Sequence, residues 1–172
     1  MTPLPHCSFF IFIVKTNKNI TEFADQEMIC LIQRVRSSQL HIEGSLHAEI
    51  GQGLLALVGL EKDDNETTLA KMLDKLYAYR VFSDTEGKMN LSVKDIDGEV
   101  LLVSQFTLAA DTQKGLRPGF SSAMPPASAE PLFETMVAQA SRRHAKTKSG
   151  VFGADMQISL LNDGPVTFIL RA

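Results

Sequence analysis

The alternation of apolar and polar positions predicts a compact domain that begins near Met28. Apolar, β-rich runs over residues 29–35 and 51–60 predict two strands, and the second run is typical of a strand buried on both faces. Apolar side chains then recur at helical spacing over residues 66–80, after a polar segment that can supply the N-cap. The predicted buried face of this helix consists of Leu69, Met72, Leu73, Leu76 and Tyr77.

The second half of the chain continues with further strands and one more helix. Residues 99–108 are typical of a central strand, and residues 128–145 predict a helix after a polar loop over 111–126. The predicted buried face of that helix holds Phe133, Met136, Val137 and Ala140. Two alternating runs near the C-terminus flank Asp163-Gly164, a pair that favours a hairpin turn. Strands outnumber helices without strict interleaving, which indicates the α+β class.

The first 27 residues differ from the rest. Their apolar run over residues 9–14 is far shorter than the ~20 residues of a membrane span. A secretory signal would need a basic start and a small-residue cleavage site, and neither is present. We interpret residues 1–27 as a weakly ordered extension, for which an upstream start codon is a simple origin, and residues 28–172 as the working domain. A targeting or partner-binding role for the extension is the alternative.

Composition narrows the class of protein. The chain has 172 residues, of which 44% are hydrophobic and 22% charged, as in one soluble globular domain. A net charge of −3 excludes a protein that coats nucleic acid through bulk positive charge. It is compatible with a protein that binds a short nucleic-acid end. Cys7 and Cys30 form no Cys-x-x-Cys pair and the histidines are scattered. We therefore expect no disulfide framework, no metal and a reducing compartment.

Candidate chemistry rests on polar residues within apolar segments, since the nucleophile-elbow, P-loop and His-Glu-x-x-His motifs are absent. Residues 104–107 end a predicted buried strand, so they either line a pocket rim or satisfy their own loop. Arg34 is either an edge residue or is paired with carboxylate or carbonyl oxygens. Lys114 and Arg117 either hold a phosphate or are solvated. Gly164-Pro165 either completes a surface turn or forms a cis bond.

In combination these segments resemble the D-aminoacyl-tRNA deacylases, and the resemblance extends from Met28 to the C-terminus. The combination of the Ser-Gln-Phe-Thr segment with the Asn-Asp-Gly-Pro-Val-Thr segment is the most specific part. The matching segments are Ile32-Gln33-Arg34-Val35, Phe82-Ser83-Asp84, Gly87-Lys88-Met89-Asn90-Leu91, Ser104-Gln105-Phe106-Thr107-Leu108, Arg117-Pro118, Ala154-Asp155-Met156 and Asn162-Asp163-Gly164-Pro165-Val166-Thr167.

The resemblance implies a fold and an activity. The fold is an α+β domain of curved, barrel-like, mainly antiparallel or mixed sheets with helices packed outside. It works as a homodimer with active sites at the subunit interface. The activity is that of a carboxylic ester hydrolase, which cleaves D-aminoacyl-tRNA, and glycine mischarged on tRNA, as proofreading in translation. The implied partner is the 3′ end of an aminoacylated tRNA in the cytoplasm, with no cofactor, no metal, no membrane and no DNA.

The resemblance also implies a role for each site residue. Ser104, Gln105, Phe106 and Thr107 form the pocket floor. Gly164 and Pro165 form a cis pair that enters the partner subunit's pocket, where its carbonyls crowd any L side chain. The residues that support this pair are Arg34, Asn162, Val166 and Thr167. Phe152, Ala154 and Met156 cradle the terminal adenosine, and Lys114 and Arg117 remain the candidates for phosphate contacts.

Thr107 is interpreted as an orienting residue, because its motif holds no histidine or carboxylate to activate a nucleophile. Backbone N–H groups near Phe106 and Thr107 are expected to stabilise the oxyanion instead. A related deacylase that acts on L-alanine misattached to tRNA carries Pro-Gln-Ala-Thr at this segment, so Ser104 and Phe106 argue against that activity. A non-catalytic RNA-end or partner-binding module would carry damaged motifs, whereas both are intact here.

Overall fold

The computed structural model describes residues 28–113 and 115–172. The predictions for residues 1–27 and for Lys114 lie outside these described residues. The elements in chain order are β1 (Ile29–Ile42), β2 (Ser45–Ile50), β3 (Gly53–Gly59), α1 (Glu66–Ala78), β4 (Phe82–Ser83), β5 (Met89–Leu91), β6 (Glu99–Ser104), a 3-10 helix (Phe106–Ala109), α2 (Pro126–Arg143), β7 (Thr147–Ser149) and β8 (Met156–Arg171).

Most strands join one mixed sheet, which curls into a nearly closed barrel. The strand order is β2-β1-β3-β6-β7, and β8 pairs with β1. The partners of β1 are antiparallel to it, whereas β3, β6 and β7 are parallel. The curl brings Ala48 and Ile50 of β2 into one apolar cluster with Leu101 and Val103 of β6. The predicted α+β fold with curved mixed sheets is therefore confirmed.

Alternation along β3 separates two cores. Leu54, Ala56 and Val58 belong to the larger core, which includes the buried faces of both helices. Leu55 points to the opposite side and joins the cluster inside the barrel. This burial on both faces explains why the sequence of β3 is a continuous apolar run rather than an alternating one.

Both helices follow the predicted pattern closely. The five predicted core residues of α1 are all buried, and Asn65 caps the helix by accepting hydrogen bonds from the N–H groups of Thr67 and Thr68. The second helix begins at Pro126, earlier than predicted, because proline fits the first turn of a helix. Val137 is half-buried rather than buried. Among the described residues, no helix is long and apolar enough to cross a membrane.

The predicted strand over residues 99–108 is wrong in its second half. β6 ends at Ser104, and residues 106–109 form the 3-10 helix. The N–H of Gln105 makes the last hydrogen bond between β6 and β3, to the carbonyl of Val58 at 2.7 Å, and the chain then turns as the N–H of Leu108 donates to the carbonyl of Gln105 at 3.2 Å. Gly59 permits this turn, since a Cβ there would lie 2.8 Å from the Cβ of Leu108.

The predicted hairpin at Asp163-Gly164 is also wrong. Both halves of β8 pair with the same strand, β1, and not with each other. Thr167 lies opposite Gln33 and Asn162 lies opposite Val35, so residues 163–166 leave the ladder as an outward loop. We call residues 163–166 the Gly-Pro excursion, and the Gly164–Pro165 peptide bond within it is cis. The long β1 strand makes this possible, because it offers a pairing partner to both alternating runs.

Candidate active site

A cleft of about 740 Å³ opens where β3 and β6 end. The two strands are parallel, so their carboxyl ends meet at the same edge of the sheet. The lining of the cleft includes Ser104, Gln105 and Phe106 on one side, and Phe152, Ala154 and Met156 on the other. Two groups of predicted site residues, far apart in the sequence, therefore share one cavity.

Thr107 lies just behind this lining. Its hydroxyl oxygen accepts a hydrogen bond from Nε2 of Gln105 at 2.5 Å, which couples it to a residue that does line the cleft. The N–H groups of Phe106 and Thr107 open the 3-10 helix, where no preceding turn supplies an acceptor. Within the described part of the chain, neither group donates to another protein oxygen. Both N–H groups therefore lack a protein acceptor within the described residues, and Phe106 itself lines the cleft.

An aromatic pair stands at the mouth of the cleft. Phe106 is 58% exposed, and its ring centroid lies 5.1 Å from that of Phe120. The wall that carries Phe120 is tied to the end of β3, because the N–H of Met124 donates to the carbonyl of Leu60 at 2.9 Å. The sequence analysis missed Phe120 and Met124. The only available signal was the presence of large apolar side chains in an otherwise polar loop.

The cleft holds few ionisable groups. Among the lining residues that the structure describes, Lys62 is the one charged side chain, and none is histidine, aspartate or glutamate. The lining therefore offers no general base for the Thr107 hydroxyl or for water. Cys30 does not line the cleft and lies in the core, where burial raises the pKa of its thiol to about 12. No group of metal-ligating side chains occurs in residues 28–113 and 115–172.

Arg34 is built into the base of the Gly-Pro excursion. Its Nε donates to the carbonyl of Asp163 at 3.0 Å and its Nη1 to the carbonyl of Val81 at 2.6 Å. The same Nε lies 3.3 Å from Oδ2 of Asp163, in an ion pair whose arginine side chain is only 12% exposed. The arginine is therefore a paired, largely buried residue rather than an edge residue.

The other predicted support residues also lie around the excursion. Oδ1 of Asn162 accepts a hydrogen bond from the N–H of Val166 at 3.0 Å, and its Nδ2 donates to the hydroxyl of Thr167 at 3.2 Å. Gly164 has a φ of +133°, and a Cβ there would lie 2.7 Å from Cγ2 of Val166. Only glycine fits this position.

The excursion is remote from the cleft of its own chain. Gly164 and Pro165 are exposed and absent from the cleft lining. Met156 and Ile158 of β8 line the cleft, and the strand from Ile158 to Asn162 spans about 13 Å. Arg117 lies in an exposed loop that is likewise outside the lining. One chain therefore assembles the predicted floor and adenosine cradle, but does not bring the Gly-Pro pair to them.

Comparisons with known proteins agree with one another. A family model described as D-Tyr-tRNA(Tyr) deacylase matches residues 31–171. The chain is 54% identical over 144 residues to a D-aminoacyl-tRNA deacylase of Cellvibrio japonicus, covering 84% of this chain and 99% of the relative. It is 57% identical over 141 residues to a D-aminoacyl-tRNA deacylase of Pseudomonas fluorescens strain SBW25, covering 82% of this chain and 97% of the relative.

Two solved structures share the fold. One is described as the c-Myc DNA Unwinding Element Binding Protein, with a TM-score of 0.80, 37% identity, and coverage of 84% of this chain and 98% of that one. The other is a probable eukaryotic D-amino acid tRNA deacylase, with a TM-score of 0.76 and 13% identity, covering 84% of this chain and 99% of that one. At 13% identity the second comparison bears on the fold alone.

Proposed function

The chain belongs to the D-aminoacyl-tRNA deacylase family, and from this premise we propose that it hydrolyses the ester bond of D-aminoacyl-tRNA as a proofreading step in translation. The products are the free D-amino acid and the unloaded tRNA. One observation carries the proposal: the Ser104–Phe106 segment and the Phe152, Ala154 and Met156 group line the same cleft. Translation is cytoplasmic, and we assign the enzyme to that compartment.

In the proposed complex, the terminal adenosine packs against Phe152, Ala154 and Met156, and the ester carbonyl lies over the 3-10 helix. The N–H groups of Phe106 and Thr107 stabilise the negative charge that develops on the carbonyl oxygen, and the absence of a protein acceptor for either group among the described residues supports this role. The substrate's own 2′-hydroxyl assists the attack of water on the ester carbonyl, since the described lining residues supply no base. Thr107, held by Gln105, orients the substrate and forms no covalent bond to it.

The Gly-Pro excursion acts, in this proposal, in the cleft of a second copy. β8 is a 16-residue strand, and the ladders of the described residues pair it with β1 alone, which leaves its other edge open. An open edge invites association with another chain. Apolar side chains are exposed along this strand, as expected of an interface. They are Leu160, Leu161, Phe168 and Ile169.

A homodimer through β8 would bring Gly164 and Pro165 of one subunit to the Ser104–Thr107 floor of its partner. The exposed carbonyl groups of the excursion then crowd the side chain of an L-amino acid, whereas D-amino acids and achiral glycine avoid the clash. Selection of this kind works by exclusion, and it discriminates more strongly than the ~1–3 kcal/mol available from apolar fit per methylene. Arg34, Asn162, Val166 and Thr167 hold the excursion in place.

The decisive assay compares D-tyrosyl-tRNA with L-tyrosyl-tRNA, using the full chain. We expect release of D-tyrosine with the L-ester spared. Equal cleavage of both esters would refute the chiral selection. Retained tRNA binding without any cleavage would favour the RNA-end-binding alternative, and preferential cleavage of L-alanyl-tRNA would favour the L-alanine-specific activity.

The dimer has a separate test in light scattering. Leu161→Arg places a charge on the exposed edge strand, and we expect it to yield monomers with little hydrolytic activity. An active monomer would refute the shared site. Leu116→Arg is the matched control, because Leu116 is fully exposed in a loop outside the edge strand and the cleft lining.

A further inference from the structure

Lys62 is the cation of the cleft, and the sequence analysis did not single it out. It is exposed, and within the described residues no carboxylate lies within ion-pair distance of its ammonium group. Its backbone is fixed, because its N–H donates to the carbonyl of Ser122 at 3.1 Å and the preceding Glu61 bridges to Ala123. The Cα atom of Lys62 therefore has a fixed position on the cleft wall.

The neighbouring carboxylates do not neutralise this charge inside the cleft. Oδ2 of Asp64 accepts a hydrogen bond from the N–H of Glu61 at 2.7 Å, and both side chains are buried. Burial raises the pKa of both carboxyl groups. Asp63 is exposed but is not part of the lining. The ammonium group of Lys62 is therefore available to an anion that enters the cleft.

The start of α2 adds to the positive potential of the same cavity. Pro125 and Pro126 line the cleft, and the N-cap has no side-chain hydrogen bond. The first turn of α2 carries no acidic residue, so the partial positive charge of the helix end is not offset locally. This effect is secondary to the full charge of Lys62.

We propose that Lys62 binds the phosphate that joins the terminal adenosine of the tRNA to the preceding nucleotide. This inference rests on the proposed function, because it assumes an aminoacylated RNA end in the cleft. The mostly apolar interior suits a base and a ribose but not an unpaired phosphate, whose burial without a partner is costly. At most about 13 Å of extended chain separates Lys62 from Val58, which also lines the cleft. Lysine binds phosphate as a point charge.

The test uses two substrates that differ in this phosphate. One is D-tyrosyl-tRNA, and the other is 3′-O-D-tyrosyl-adenosine, which has no phosphate. For Lys62→Ala we expect a rise of about tenfold in KM on the tRNA ester, with kcat within roughly twofold of the original, because one charge-assisted contact is lost. The adenosine ester should be cleaved as before, and Lys62→Arg should restore most of the affinity.

Lys71→Ala is the matched control, since Lys71 is an exposed lysine of α1 and removing it changes the net charge equally. The slope of log KM against log salt for the tRNA ester should fall by about 1 in Lys62→Ala and not in Lys71→Ala. Identical behaviour of the two variants would overturn the proposal. So would an equal loss on the tRNA and adenosine esters.

Binding of an acceptor-stem minihelix that carries no amino acid tests the role of Lys62 separately from the proposed function. If the unsubstituted chain cleaves neither ester, the proposed function fails, and the minihelix titration still decides the role of Lys62. Weaker binding by Lys62→Ala than by Lys71→Ala supports the phosphate contact. Equal binding by the two variants contradicts it.

Discussion

Replacing Arg34 by methionine tests the support of the Gly-Pro excursion. Methionine keeps the length of the side chain but leaves the carbonyl groups of Val81 and Asp163 without their donor. A buried acceptor that loses its partner costs about 1–3 kcal/mol, and because Val81 is buried but Asp163 only half-buried, we expect the free energy of unfolding to fall by about 2–4 kcal/mol. With a urea dependence of about 2 kcal/mol per molar, the unfolding midpoint falls by about 1–2 M.

The same substitution should weaken chiral selection. If about 1.5 kcal/mol of the loss falls on the positioning of Gly164 and Pro165, the preference for the D-ester over the L-ester falls about tenfold. The assay is the ratio of kcat/KM for D-tyrosyl-tRNA and L-tyrosyl-tRNA, alongside urea unfolding at one fixed protein concentration. The fixed concentration matters because association would add to the apparent stability.

Arg36→Met is the matched control for this prediction. Nε of Arg36 also lies 3.0 Å from a carboxylate oxygen of Asp163, but its side chain is 71% exposed. Exposed ion pairs contribute about 0–1 kcal/mol, so the control should alter neither the midpoint nor the ester preference appreciably. Equal effects of the two substitutions would refute the reasoning. A loss of stability in Arg34→Met with an unchanged ester preference would show that Arg34 supports the fold only.

Three further predictions concern other parts of the chain. Thr107→Ala should retain measurable hydrolysis, and mass spectrometry of the unsubstituted enzyme during turnover should show no acyl group on Thr107; a trapped acyl-enzyme would contradict its orienting role. The Cys30 thiol, with its pKa raised to about 12, stays protonated in the folded protein well above pH 9, so peptide mapping should find it unreacted with iodoacetamide until urea is added. Reaction in the folded state would place it outside the core. Asn65→Ala removes the cap of α1 and should lower the free energy of unfolding by about 1 kcal/mol in urea titrations, whereas Asn65→Asp, which keeps a side-chain acceptor at the cap, should not.

Local patterns predicted the elements whose stabilising contacts repeat along the chain. The i, i+3, i+4 spacing from Leu69 to Tyr77 predicted α1 because the same helix face meets the core at every turn. The apolar run in β3 predicted a strand buried on both faces, and both cores are indeed present around it. The cap at Asn65 follows from bonds within its own segment.

The errors arose where a distant segment decides the local structure. Residues 105–108 look like a continuation of β6, and nothing local shows that Gly59 of β3 leaves room for Leu108 to turn back against it. Asp163-Gly164 looks like a hairpin turn, because nothing local shows that β1 is long enough to pair with both flanking runs. In each case the local sequence is compatible with two structures, and contacts with a distant segment determine which one forms.

The candidate site was predicted on different grounds from the helices and strands. Its residues came from resemblance rather than from periodicity, and the structure adds the cleft that Ser104 and Met156 share. Lys62 and Phe120 were missed because they lie in polar connecting segments, where side-chain direction has no sequence signal. The distance between the cleft and the Gly-Pro excursion along β8 was likewise invisible without the fold.

The interrupted ladder between β1 and β8 has a consequence for local opening. Because the register breaks on both sides of Val35, the two halves of β8 are separate hydrogen-bonded segments, each anchored to β1 independently. Amide hydrogen exchange should therefore be faster at Asp163 and Gly164 than in the segments on either side, with different opening free energies for the two halves of the strand. One half of β8 can therefore open while the other half stays paired with β1.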